Sequence, residues 1–89
     1  MDTDAFAAYV AEHPEGAVVS ARVVEARPFG VFCELAPGVI GLLTVAEMKD
    51  LPRGRPADEH LSVGDSIDAT IAYINHQEPA IRLSQTINT

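Results

Sequence analysis

The chain has 89 residues and a formal net charge of -7, with thirteen carboxylates against six Lys and Arg side chains, and 47% of it is apolar. That length allows one small core and excludes a second, while the apolar share excludes a disordered chain. The acidic balance excludes strong non-specific binding to a long polyanion, which needs several clustered cations.

Residues 2–13 read as a helix. Asp2, Thr3 and Asp4 place capping oxygens and negative charge at its amino end, and Phe6, Tyr9, Val10 and His13 recur on one side. Pro14 and Gly16 end it, and the apolar stripe predicts a lid on the rest of the domain. Residues 17–26 are rich in Val and predict a long strand, which Arg27 and Pro28 interrupt. A second strand is expected over 29–35, with Val31, Cys33 and Leu35 inward and Phe32 and Glu34 outward. Pro37 and Gly38 supply a turn into a third strand over 39–43.

Residues 44–50 predict a short helical turn, with Thr44 as cap and Glu47 as its capping-box partner. Residues 51–60, with Pro52, Gly54 and Pro56, read as an irregular loop. Val63, Gly64 and Asp65 turn the chain into a fourth strand over 66–74, in which Ile67, Ala69, Ile71 and Tyr73 alternate with polar or small residues, so Tyr73 is expected to line the interior. A polar loop follows over 75–79, then a fifth strand over 80–84. The expected core is Val18, Val23, Val31, Cys33, Ile40, Leu42, Ile67, Ile71 and Leu83. The expected organisation is a helical extension at 1–15, a barrel domain at 16–85 and a flexible tail at 86–89.

The chemistry is that of a binding module. Phe29 and Phe32 flank Gly30 beside a hairpin, where exposed rings offer the bases of a single strand a stacking face. Arg22 and Arg27, on the strand entering that face, are candidates for phosphate contacts. Arg53 and Arg55 lie among Asp50, Asp58 and Glu59, which makes a solvated mixed-charge loop. His13, His60 and His76 lack the spacing of metal ligands, and Cys33, the only cysteine, reads as a small core residue. Pairs such as Asp65 with Asp68 have no nucleophile or phosphate-cradling loop beside them, so no catalytic residue, cofactor or metal is expected. No apolar run approaches the ~20 residues of a membrane span and no basic-then-apolar leader opens the chain, so the expected location is cytoplasmic.

Five strands with a helical connector between the third and fourth describe an all-β fold, the five-stranded Greek-key OB-fold barrel, here with an added N-terminal helix. The turn residues go further. Gly16, Ala17, Val18 and Val23, then Phe29-Gly30-Val31-Phe32, Gly41-Leu42-Leu43, Val63-Gly64-Asp65 and Arg82-Leu83-Ser84 resemble, in order, the motifs of the S1 RNA-binding domain family. The resemblance implies a single-stranded RNA partner and places Thr44, Asn75 and Arg82 at or near family contact positions. Where RNA-contacting members usually carry His, Asp and Arg, this chain has Thr44, Asn75 and Ala80. Two functions are therefore expected to compete. One is weak binding of single-stranded RNA through Phe29, Phe32, Arg22 and Arg27. The other is an acidic protein-interaction module, an adaptor or inhibitor of a basic nucleic-acid-binding protein or ribonucleoprotein.

Overall fold

The computed structural model describes residues 2–86. Strands β1 (Val18–Arg27), β2 (Gly30–Ala36) and β3 (Val39–Thr44) form an antiparallel meander. Strand β4 (Ser66–Asn75) returns to pair with β1, and β5 (Ala80–Ser84) closes the barrel, antiparallel to β4 and parallel to β3. This is the expected OB-fold barrel. Its interior is filled by Val19, Ala21 and Val23 from β1, Val31 and Cys33 from β2, Val39 and Leu43 from β3, and Ile71, Ile74, Ile81 and Leu83 from β4 and β5.

Three of the nine residues expected inside point the other way. Val18 is 67% exposed, and Ile40 and Leu42 are half-buried on the outer side of β3. The inward phase of β3 is Val39, Gly41, Leu43. Gly41 suits that phase: a Cβ there would lie 3.2 Å from Leu83 and 3.3 Å from Leu35, tighter than ordinary packing, so a larger residue would press on both side chains. Val23, Val31, Cys33, Ile71 and Leu83 are buried as expected, and Ile67 packs partly buried against them. Gly30 serves close approach rather than bending, because a Cβ would sit 2.6 Å from the Leu43 carbonyl oxygen of β3.

In β4 the register slips between Ile71 and Tyr73. Ile71 and Ile74 both turn inward, and Tyr73 is 52% exposed instead of lining the barrel. The Glu15 carboxylate accepts the Ile74 N–H at 2.9 Å, tying the segment before β1 to this strand.

Helix α1 (Thr3–Glu12) starts where its cap predicts, with the Asp2 carboxylate accepting the N–H groups of Asp4 and Ala5 at 3.0 and 3.1 Å. The Asp2 N–H donates to the Gly38 carbonyl at 3.2 Å, and buried Phe6 sets its ring edge-on to His76. The helix thus closes the mouth where the β2–β3 and β4–β5 turns meet. The opposite mouth is closed by a 3₁₀ turn (Val45–Glu47), by buried Met48 and by α2 (Ala57–His60), whose buried Ala57 donates its N–H to the Pro28 carbonyl at 2.9 Å. Helix α2 lies in the stretch expected to be irregular.

The capping box expected from Thr44 and Glu47 does not form, since the Thr44 side chain makes no capping bond. The Glu47 carboxylate is instead taken by the hydroxyls of Ser84 at 2.6 Å and Thr86 at 2.9 Å, and the Gln85 N–H donates to the Glu47 carbonyl at 2.8 Å. These bonds fasten the end of β5 to the β3 connector. Of the tail expected at 86–89, only Thr86 is among the described residues.

Candidate nucleic-acid interface

The outer surface of the barrel carries one continuous lateral row. Ladder partners run from Glu25 on β1 to Phe32 on β2, Leu42 on β3, Arg82 on β5 and Tyr73 on β4. Each is exposed or half-buried on the outer face. Neighbouring strands lie about 4.8 Å apart, so the row is a band of side chains crossing the strands at right angles.

Phe29 stands just before β2, 53% exposed, with its carbonyl accepting the Val45 N–H at 3.0 Å. Its ring meets that of Phe32 edge to face, centroids 6.1 Å apart and planes at 83°. One ring is therefore held by the turn and the other by the sheet, and each can present a π-face to a flat ligand. Ile40 and Leu42, missed as surface residues in the sequence, form the apolar floor beside Phe32. A groove of about 360 Å³ lies over them, also lined by Ala80 and Arg82. A second groove, about 260 Å³, continues past Arg82 to Thr44, Glu47 and Tyr73. Leu42 and Arg82 line both, which joins them along the β3–β5 seam.

The expected cations are placed unevenly. The Arg22 guanidinium lies 3.7 Å from the Glu34 carboxylate and the Arg27 Nε donates to Glu25 at 3.0 Å. Glu25, through that hydrogen bond and its charge, raises the proton affinity of Arg27. Arg82 has no ion-pair partner among the described residues, and it stands in the row between Leu42 and Tyr73. Arg22, Arg27 and Arg82 face Glu25, Glu34 and the Glu47 of the second groove, so this face is locally balanced in charge on a chain of net charge -7. Thr44 faces the second groove, opposite Gly30 in the ladder. Asn75 lies at the far rim beside Ala80, its side-chain oxygen accepting the N–H groups of Gln77 and Glu78 at 3.0 and 3.1 Å.

A larger hollow of about 490 Å³ lies at the α2 mouth between Pro28, Val45, Leu51 and Pro52, rimmed by Arg53 and by Arg55, which pairs with Glu59. It has no aromatic wall, and the outer-face row is the better stacking surface. Among the described residues no group of His, Cys, Asp or Glu is placed to hold a metal ion. Cys33 is fully buried, and burial pushes its thiol up to about 11, so it is an inert core residue. No helix among the described residues is long and apolar enough to cross a membrane.

Comparison with known proteins agrees with this fold. Residues 12–85 match the S1 RNA binding domain. The chain is 34% identical over 83 residues to the small ribosomal subunit protein bS1 of Pseudomonas aeruginosa, a stretch covering 93% of this chain and 15% of that protein. It is 37% identical over 73 residues to 4-hydroxy-3-methylbut-2-enyl diphosphate reductase of Clostridium acetobutylicum, covering 82% of this chain and 11% of the reductase. Among solved structures, a chain in the a/eIF2alpha–aDim2p–rRNA complex of Pyrococcus horikoshii is similar with a TM-score of 0.71 and 26% identity, over 79% of this chain and 42% of that one. The chain spans only a small part of the length of these two sequence relatives. The barrel, its ordered turn motifs and a match over residues 12–85 together establish that the chain belongs to the S1 RNA-binding domain family.

Proposed function

We propose that this chain is a non-catalytic module that binds single-stranded RNA across the outer face of β2, β3 and β5. The observation that carries the reading is the pairing, in one ladder row, of the Phe32 ring with Leu42 and with Arg82, which has no ion-pair partner among the described residues, with Phe29 set edge-on beside it. In this reading Phe29 and Phe32 stack on bases, and Arg82 holds a phosphate. Arg22 and Arg27 contribute less, because each already faces a carboxylate. Thr44 and Asn75 border the path and offer hydrogen bonds in place of the imidazole and carboxylate usual in RNA-contacting relatives. The 11% of the reductase that matches fits an accessory domain within that enzyme, in line with a module that does no chemistry of its own.

Binding by this face is selective for single strands and tolerant of sequence, since every base has a π-face. With few phosphate contacts and a net charge of -7, the affinity is micromolar or weaker at physiological salt. The comparisons lend no support to the rival reading of an acidic protein-interaction module.

Fluorescence anisotropy of a labelled hexauridylate at low salt tests the proposal. Phe29→Ala and Phe32→Ala are each expected to weaken binding about 5- to 150-fold, the range for loss of one base–aromatic stack. Absence of binding at millimolar protein, or binding indifferent to both substitutions, would refute it.

A further inference from the structure

We propose that Tyr73 is a third stacking platform and that the bound strand runs on past β3, across β5, to end on β4. The inference rests on the RNA reading above and extends it to a residue with no assigned role.

Three observations carry it. First, simple alternation would put Tyr73 inside the barrel with Ile71, and a register slip between these two residues puts it outside. Ile74 takes the vacated interior position, so the core loses nothing while a large ring, 52% exposed, is delivered to the surface. Bulges characteristically re-aim one side chain in this way, often beside a site. Second, the slip brings Tyr73 into ladder register with Arg82, which is itself in register with Leu42, the partner of Phe32. Third, the groove along Phe32 and Leu42 adjoins the one that reaches Tyr73, the two sharing Leu42 and Arg82 as walls. The Glu47 carboxylate that lines this second groove is engaged by the Ser84 and Thr86 hydroxyls.

The spacing sets the footprint. Phe32 and Tyr73 are three ladder steps apart, about 14 Å along the sheet. Stacked bases follow one another at about 3.4 Å. A dinucleotide therefore reaches one platform only, whereas a hexanucleotide reaches both, with Arg82 beneath the phosphates between them.

The chain has no Trp and two Tyr, so in the Tyr9→Phe protein all tyrosine fluorescence comes from Tyr73. That protein is titrated with hexauridylate and with diuridylate, and Kd is compared with those of Tyr73→Ala, Tyr73→Phe and Phe32→Ala. The expected results are quenching of Tyr73 by the hexamer, a loss of about 5- to 150-fold in hexamer affinity for Tyr73→Ala, and near-full affinity for Tyr73→Phe. Diuridylate binding is expected to fall with Phe32→Ala and to change little with Tyr73→Ala. Hexamer binding that depends on Phe32 but leaves Tyr73 unquenched and Tyr73→Ala unaffected would overturn this extension alone. No hexamer binding by the unsubstituted protein would overturn the RNA reading and the extension with it.

Discussion

Glu25 offers a gain-of-function test, because it opposes the proposed ligand in two ways. It is the ladder partner of Phe32, and its carboxylate holds the Arg27 guanidinium at 3.0 Å. A phosphate lying over Phe32 would stand roughly 7 Å from that carboxylate, and in water two like charges at this separation repel by about one RT. Glu25→Gln should therefore tighten binding about threefold at low ionic strength. It should also free Arg27 for a phosphate, steepening the log–log salt slope by about 0.7, the increment for one contact with a single strand. At ~0.1 M salt, with a Debye length near 10 Å, the advantage should shrink to less than twofold. Anisotropy titrations of a labelled hexauridylate across a salt series read both quantities. Glu12→Gln, exposed on α1, removes the same charge from a remote face and is expected to leave the slope unchanged. If Glu25→Gln behaved like Glu12→Gln, neither Glu25 nor Arg27 would border the bound strand.

Other expected outcomes concern the barrel. Phe6→Ala should cost about 3 kcal/mol of unfolding free energy, since the ring is 4% exposed beneath α1; a denaturant midpoint that hardly moves would make the helix an appendage. Ser84→Ala should cost about 1 kcal/mol near pH 7 by removing the Glu47 hydrogen bond. Ser84 and then Thr86 hold the Glu47 carboxyl below its ordinary range, so this stability is present above about pH 4.3 and disappears as pH falls through the lowered value. Thermal melts of the two proteins should accordingly converge in acid, and a gap that widened there would contradict the assignment. The Cys33 thiol, fully buried and raised to about 11, should react with a thiol reagent at least about 10³-fold more slowly in the native protein than in denaturant.

Much of this was legible in the chain itself. Pro37 with Gly38 and Val63-Gly64-Asp65 located the turns, alternation gave the phase of β2, and the ordered motifs gave the family. The errors share a cause. In β3 the run Val39 to Leu43 has no polar residue to mark a face, and Gly41 turns inward against Leu83 and Leu35. In β4 a single slip reverses the alternation after Ile71, which no local pattern announces. Both errors hid parts of the candidate site, because Ile40, Leu42 and Tyr73 are apolar or aromatic residues that pattern alone assigns to a core. The Arg22 ion pair was equally unreadable, since it depends on the register that sets Glu34 opposite it, whereas Glu25 and Arg27 are two apart on β1 and alternation already puts them on one face.

The most direct measurement is a two-dimensional amide NMR titration of the protein with hexauridylate at low salt. Binding over the outer-face row is expected to shift the amides of residues 29–32 together with those of Leu42, Tyr73 and Arg82, while α1 and α2 stay unmoved. An unchanged spectrum at millimolar RNA, or shifts gathered on the helices instead, would contradict RNA binding at this face.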